Sequence, residues 1–201
     1  MKITNYKKQG NIVTFNVSGV DVKLLNALRR TIISGVPTMA VEKVTFYYNS
    51  SILNDEVLAH RLGLVPLHTD IKTYTMPSEC TCKGKGCGKC TAILSVDVSG
   101  PKTVYSGELN STDPKITPVY DKIPLVKLTG KQTLKLEATA QLGLAKDHVK
   151  WQAGIAAYEH KEKDSYDFLV ESFGQYPPEE LLERAFDIVE GKIKELKSQV
   201  G

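Results

Sequence analysis

The sequence predicts an α+β fold with a mostly-β insertion. Three observations predict it. An alternating apolar segment near the N-terminus is followed by an amphipathic helix, and the same order of strand and helix returns near the C-terminus. Between these two ends the chain is rich in short alternating segments and in Gly, Pro, Thr and Lys. Neither internal repeats nor low-complexity stretches interrupt this order.

The first strand and helix follow from patterning and capping. Residues 11–18 alternate apolar and polar side chains, as a half-buried strand does. Asp21 can cap the next helix, because its carboxylate accepts hydrogen bonds from backbone amides that lack partners. The helix places Leu25, Leu28 and Ile32 at helical spacing on one face.

The end of this helix is predicted at Gly35 and Pro37, which cannot easily continue it. Arg29 and Arg30 are then expected near its C-terminus, where positive charge suits the helix dipole. From the residues alone, these two arginines are interpreted as a solvated helix end.

The middle of the chain is predicted to hold strands, one short helix and a turn-rich loop. Asn54 or Asp55 can cap a helix that Gly63 closes. A β-branched and aromatic strand precedes this helix, and two alternating strands follow it. The strands cover residues 40–48, 93–98 and 132–140, and the turn-rich loop covers residues 69–92.

The C-terminal segment predicts a strand at residues 164–173 and then a long helix. Pro178 suits the first helical position, and Glu179 and Glu180 suit the first turn. The helix is expected to run to about Ser198. Its apolar residues step by fours and threes and form a heptad stripe: Leu182, Phe186, Val189, Ile193, Leu196 and Val200. Such a stripe packs either on the helix's own sheet or on a partner helix.

All four cysteines fall within eleven residues, as Cys80, Cys82, Cys87 and Cys90. Two close pairs of thiolates can surround one metal ion tetrahedrally, and four thiolates leave no open position. The pattern therefore predicts one structural zinc ion rather than a catalytic one. Neighbouring glycines, at positions 84, 86 and 88, allow positive φ, and lysines at 83, 85 and 89 offset the negative charge of the thiolates.

Alternatives to zinc remain open at this stage. Four thiolates also hold iron–sulfur clusters, although the spacing differs from the common ferredoxin runs. The thiols could also be free in a mobile loop. A thiol redox function for Cys87 and Cys90 would require a strand-to-helix junction, which a Gly- and Lys-rich loop does not provide.

Composition and motifs argue against several functions. The net charge is +3, which is small for a protein that binds nucleic acid mainly through electrostatic attraction. No HExxH, GxSxG, phosphate-binding loop or dinucleotide fingerprint occurs, so no catalytic residue is assigned. With no signal-peptide core and no membrane-spanning stretch, the chain is expected to be cytoplasmic and to contact no membrane.

Four motifs occur in order along nearly the whole chain: NALRRTIISGVPTMAVEKV at 26–44, EVLAHRLGLVPL at 56–67, HVKW at 148–151 and FLVESFGQYPPEELLERAF at 168–186. Together they resemble the α-like subunits of cellular RNA polymerases, and closest in kind is the archaeal D-type branch. This branch is related to the bacterial α N-terminal domain and to the third-largest subunit of eukaryotic polymerase II.

The resemblance implies a dimerisation domain, residues 1–48 plus 156–201, and an inserted domain, residues 49–155. It implies a non-catalytic platform subunit of DNA-directed RNA polymerase, a nucleotidyltransferase complex. The chain would pair with a small L-type α-like subunit and then dock the second-largest subunit and small assembly subunits. DNA would be reached only through the whole complex.

The resemblance also implies site residues. The partner interface would comprise Leu25, Leu28, Arg29, Arg30, Ile32, Leu182, Phe186, Val189, Ile193 and Leu196. Of these, the two arginines match a pair that lies near contacts with the second-largest subunit. The four cysteines match a zinc loop that some relatives carry in the inserted domain.

One departure from the family concerns residues 152–167, where many archaeal members of this branch carry a ferredoxin-like domain with an iron–sulfur cluster. This chain has only sixteen residues there and no further cysteine. Two other functions remain as alternatives: a stand-alone zinc module that binds nucleic acid, with binding that falls steeply with salt, and a thiol redox enzyme with an exposed thiol of low pKa.

Overall fold

A computed structural model describes residues 2–161 and 164–200 of the chain. Three α-helices and ten β-strands are assigned within these residues. The helices are α1 (Val22–Ser34), α2 (Asp55–Gly63) and α3 (Pro178–Val200). The strands are β1 (Lys2–Gln9), β2 (Ile12–Ser18), β3 (Thr38–Asn49), β4 (Thr91–Ser99), β5 (Lys102–Tyr105), β6 (Asn110–Ser111), β7 (Pro124–Leu128), β8 (Thr133–Gly143), β9 (Gly154–His160) and β10 (Ser165–Ser172).

Backbone contacts divide the chain into two compact units. The first unit joins both chain ends, Met1–Val36 and Leu144–Gly201, and the second is the middle, Pro37–Gly143. The mixture of sheets and helices confirms the predicted α+β class. The domain boundaries expected from the sequence, 48/49 and 155/156, stay a prediction. β3 pairs with β8 along its whole length, which is why this strand lies in the middle unit.

The first unit is built on a four-stranded antiparallel sheet in the order β1-β2-β10-β9. Its central pair joins the two ends of the chain, because β2 hydrogen-bonds to β10 with Phe15 opposite Phe168. These two rings stack with centroids 5.3 Å apart and are almost fully buried. Burial of alternate side chains along β2 matches the predicted half-buried strand. α1 contacts β9 and α3, and α3 also contacts β10.

Capping explains where the two long helices begin. Asp21 accepts a hydrogen bond from the Lys23 backbone N–H at 2.8 Å, which confirms it as the α1 cap. Pro178 is the first residue of α3, with two glutamates in the first turn, also as predicted. α1 ends at Ser34 with Gly35 as its C-cap, as predicted, but its last turn holds no basic residue, so Arg29 and Arg30 lie before the turn in which the helix dipole would favour them.

The second unit is built on a four-stranded antiparallel sheet in the order β3-β8-β4-β6, with a separate two-stranded sheet of β5 and β7. A continuous apolar core lies under it, to which α2 contributes Leu58 and Leu62, both fully buried. The loop between α2 and β4 carries the cysteines and leads directly into β4 at Thr91.

Candidate functional site

The four cysteine sulfurs converge in the loop before β4. Their Sγ atoms all lie within 4.8 Å of one another. The Cys80–Cys87 pair is 3.6 Å apart, the Cys82–Cys90 pair 3.5 Å, and the Cys87–Cys90 pair 3.7 Å. Sulfurs bound tetrahedrally to zinc at about 2.3 Å lie about 3.8 Å from each other. The donor set therefore fits one four-coordinate metal ion such as Zn²⁺.

The local backbone explains how one short loop brings four sulfurs together. Two tight turns, from Cys80 to Lys83 and from Cys87 to Cys90, close with backbone hydrogen bonds of 2.9 Å. The Cys87 backbone N–H also donates to Cys90 Sγ at 3.3 Å, a contact typical of thiolate knuckles. Gly84 and Gly86 have φ of +76° and +86°, as expected for glycine in such turns. Gly88 does not have positive φ, contrary to the prediction, whereas Lys83 does.

The thiols differ in environment before any metal is considered. Cys80 and Cys90 are buried, and Cys82 and Cys87 are partly exposed. Hydrogen bonding from Cys80 lowers the pKa of Cys82 to about 6, whereas burial raises the pKa of Cys90 to about 12. A bound cation would favour the thiolate form at all four positions.

A second set of polar contacts anchors the cysteine loop to the rest of its unit. Asp70 accepts hydrogen bonds from Lys115 Nζ and from Thr73 Oγ1, both at 2.8 Å. These bonds hold the pKa of Asp70 well below its usual range. The nearby Tyr74 hydroxyl donates to Asp113 Oδ2 at 2.8 Å, and burial together with this bond raises the tyrosine pKa to about 12.

Sequence reasoning missed this anchor, which we call the Asp70–Lys115 clasp. Its two members are separated by 45 residues in sequence. The only local sign was an Asp followed three residues later by Thr, the pattern of a side-chain-capped turn. Tyr74 and Thr75 join the cysteine loop to the clasp. The Thr75 backbone N–H donates a hydrogen bond to the Lys89 carbonyl at 2.9 Å.

The residues predicted for a partner interface fall into two groups. The first group is buried inside its own unit: Leu25, Leu28, Ile32 and Leu182. The second group is partly or largely exposed: Arg29, Arg30, Phe186, Val189, Ile193 and Leu196. Contact of either group with another chain stays a prediction.

The exposed group lies on an uncovered length of α3. All residues from 191 to 200 are exposed, although the apolar stripe continues through them. Ile193, Leu196 and Val200 are exposed by 55%, 62% and 81%. Together with Phe186, Val189 and Leu24 of α1, they form what we call the α1–α3 face. Leu24, Phe186 and Val189 of this face also line a small apolar pocket of about 170 Å³ that reaches inward to Leu25 and Leu28.

Within the described residues, the cysteine set is the one cluster of His, Cys, Asp and Glu side chains arranged to hold a metal ion. No helix of the described chain is both long and apolar enough to span a bilayer. The fold and site thus define a class of protein: a discontinuous α+β unit with an uncovered helical face, and a middle unit with a four-thiolate loop.

Comparison with known proteins identifies the family. A model described as the RNA polymerase Rpb3/RpoA insert domain matches residues 44–160, more than half of the chain. A DNA-directed RNA polymerase subunit Rpo3 from Pyrobaculum calidifontis is 35% identical, over 89% of this chain and 88% of that protein. The chain therefore belongs to the family of α-like RNA polymerase subunits, which confirms the resemblance at the family level.

Other relatives with the same name are more similar but longer. The Rpo3 subunit of Methanosarcina acetivorans is 48% identical over 71% of this chain and 54% of its own length. The Rpo3 subunit of Methanothermobacter thermautotrophicus is 45% identical over 80% of this chain and 62% of its own length. The chain thus spans little more than half the length of several relatives that it matches.

Proposed function

We propose that this chain is a non-catalytic assembly subunit of DNA-directed RNA polymerase, of the archaeal D-type branch. It pairs with a small L-type α-like subunit, and the pair docks the second-largest subunit and small assembly subunits. The chain reaches DNA only as part of that complex. Family membership supports the polymerase assignment, and the pairing rests on the α1–α3 face.

One observation supports the proposed pairing: the apolar stripe of α3 extends beyond the part of the helix that packs against the core of its own unit. The first turns of α3 bury Leu181, Leu182 and Ala185, so the apolar side of that part of the helix is already covered by its own unit. Over the following turns the stripe stays apolar, but its side chains face solvent. An exposed contiguous apolar surface of this kind marks a protein–protein contact, and heptad spacing suits a partner helix.

We further propose that the four cysteines hold one structural zinc ion, with an iron–sulfur cluster at the same thiolates as the alternative. Zinc closes the loop by replacing four separate thiols with one four-coordinate centre. No coordination position remains for a substrate or water, so the centre supports the loop rather than a reaction.

The test is native mass spectrometry of the full chain co-expressed with the small α-like subunit encoded in the same genome. A one-to-one heterodimer that carries one zinc is expected. Ile193→Asp should abolish the heterodimer, because it would bury an unpaired charge in an apolar contact. Ser198→Asp adds the same charge on the same exposed half of α3, outside the stripe, and serves as the matched control.

A heterodimer that survives Ile193→Asp as well as it survives Ser198→Asp would show that the α1–α3 face is not the interface. A metal-bearing monomer with no affinity for the small subunit would contradict the pairing itself. In that case the nucleic-acid-binding zinc module becomes the better explanation.

A further inference from the structure

The α1–α3 face contains a groove of about 430 Å³ between the two helices. Its apolar lining comes from Leu24 and Ala27 of α1 and from Val189, Ile193 and Leu196 of α3. The groove is open to solvent, and its lining comes from the two helices predicted to form the interface. It is therefore a place on this face that an apolar side chain from another molecule can enter.

The charged residues that line this groove are both cations. Arg30 projects from α1 and Lys192 from α3. The α1 sequence, Val22–Ser34, contains three cations and not a single acidic residue. Within the described part of the chain, neither Arg30 nor Lys192 forms an ion pair. The groove thus combines an apolar floor with two cations that form no ion pair with the described residues.

Other cations on α3 behave differently. Arg184 pairs with Glu180, and Lys194 pairs with Glu190, each one helical turn away. Such pairs at spacing four are the ordinary way in which a helix neutralises its own surface charge. Lys192 lies between two paired positions but remains unpaired, and it faces the groove.

We propose that the groove selects a partner helix that places acidic side chains beside its apolar anchors, and that the same cations oppose pairing of two copies of this chain. This inference rests on the proposed function and adds the charge of the partner surface. Opposite charge at the edge of an apolar contact favours association with the right partner and penalises a like-charged one.

Symmetry explains why a second copy is disfavoured. Two identical chains that pair through this face meet about a twofold axis, so each face contacts the same face of the other copy. Both Arg30 side chains and both Lys192 side chains would then enter one interface whose two groove linings contain no acidic residue. A different α-like chain with acidic residues at the matching positions avoids this repulsion.

Added salt should change the affinity of the heterodimer and of self-association in opposite directions. Screening weakens attraction between unlike charges and relieves repulsion between like charges. Added NaCl should therefore weaken binding of the small α-like subunit and strengthen self-association of this chain. Apolar contact alone would not move the two equilibria in opposite directions.

The experiment is sedimentation velocity on the full chain, alone and with the small α-like subunit from the same genome as the probe. Lys192→Glu gives the groove one charge of each sign and makes the face complementary to itself. It should strengthen self-association about tenfold and weaken binding of the small subunit by a similar factor. The neutral Lys192→Gln should lie between wild type and Lys192→Glu in both measurements.

Lys197→Glu is the matched control, because it makes the same charge change on the exposed half of α3 outside the groove lining. Both equilibria should stay within about twofold of wild type for this variant. If Lys192→Glu is no different from Lys197→Glu in either measurement, the charge selection is overturned.

The Ile193→Asp variant separates this inference from the proposed function. Loss of small-subunit binding in Ile193→Asp, together with no effect of Lys192→Glu, would leave the interface assignment standing and refute the charge selection. Undiminished binding in Ile193→Asp would refute the interface itself, and the charge selection with it.

Discussion

Sγ of Cys82, in the first half of the cysteine loop, lies 3.5 Å from Sγ of Cys90 at the end of the loop. The Cys80–Cys87 pair crosses the same loop at 3.6 Å, so the two pairs interleave in sequence. Both contacts join the first half of the loop to the second, and Cys87 also lies 3.7 Å from Cys90. The four sulfurs thus converge on one centre, and we expect removal of a single thiolate to open the loop.

Cys87→Ser should therefore remove the metal and loosen residues 80–90, while the rest of the second unit stays folded. Structural zinc binding supplies folding free energy to the segment that it closes, and the apolar core beneath the sheet includes neither Cys82 nor Cys87. Metal analysis and amide hydrogen exchange measure the two effects. Ser78→Ala, just before the loop, should change neither, and full metal content in Cys87→Ser would contradict the ligand assignment.

Asp70→Asn should destabilise the second unit at neutral pH by about 1–2 kcal/mol, because Lys115 and Thr73 lose a charged acceptor. The pKa of Asp70 is lowered in the folded state. Its contribution is therefore complete above the unfolded pKa of 3.8 and is lost as pH falls through the lower folded value.

Urea unfolding of wild type and Asp70→Asn, both metal-free, measures this dependence. The difference in unfolding free energy should be constant from about pH 7 to about pH 5 and narrow below about pH 4. A difference that grows on acidification would show that the clasp does not depend on the Asp70 carboxylate.

Leu182→Ala and Leu196→Ala should differ in their effect on stability, because they truncate the buried and the exposed half of the apolar stripe. Leu182 is buried in its own unit, so its truncation should lower the unfolding free energy of the isolated chain by about 2–3 kcal/mol. Leu196 is 62% exposed, and its truncation should change that quantity by less than about 0.5 kcal/mol.

The same two variants are then compared for affinity toward the small α-like subunit. Leu196→Ala should weaken the complex although it leaves the isolated chain as stable as before. Equal losses of stability in both variants would show that the end of α3 packs on its own unit.

Two glycines make a matched pair for backbone packing. A Cβ at Gly154 would collide with the Glu171 carbonyl oxygen on the neighbouring strand, so Gly154→Ala should destabilise the first unit by about 1–3 kcal/mol. A Cβ at Gly191 meets nothing within 4 Å, and Gly191→Ala should stabilise α3 by about 0.5–1 kcal/mol. Thermal unfolding of both variants checks that the two changes in stability have opposite signs.

Sequence patterning predicted the elements whose signals are local. α1 and α3 were predicted from caps and helical spacing, and β2 was predicted from alternation, since each of these cues lies within a few residues. β1 and β9 were missed. β1 is polar and exposed along most of its length, and it is a strand because β2 supplies its hydrogen-bond partners. β9 depends in the same way on β10.

The candidate site shows the same division. The four cysteines were identified from spacing alone, because one short loop contains all of them. The Asp70–Lys115 clasp was not identified, because its partners lie on segments that only the folded chain brings together. The positive groove was also missed, since Arg30 and Lys192 belong to helices at opposite ends of the sequence.

The sequence by itself determined the α+β class, the four-thiolate loop and the apolar stripe of α3, because short-range spacing encodes each of them. Only the tertiary structure decided that β2 pairs with β10 and joins the chain ends, and that the stripe is buried at Leu182 but exposed at Ile193. The physical reason is that burial is a property of the surrounding packing. A periodic apolar pattern shows which side of a helix avoids water, whereas the folded neighbours decide how much of that side their own chain can cover.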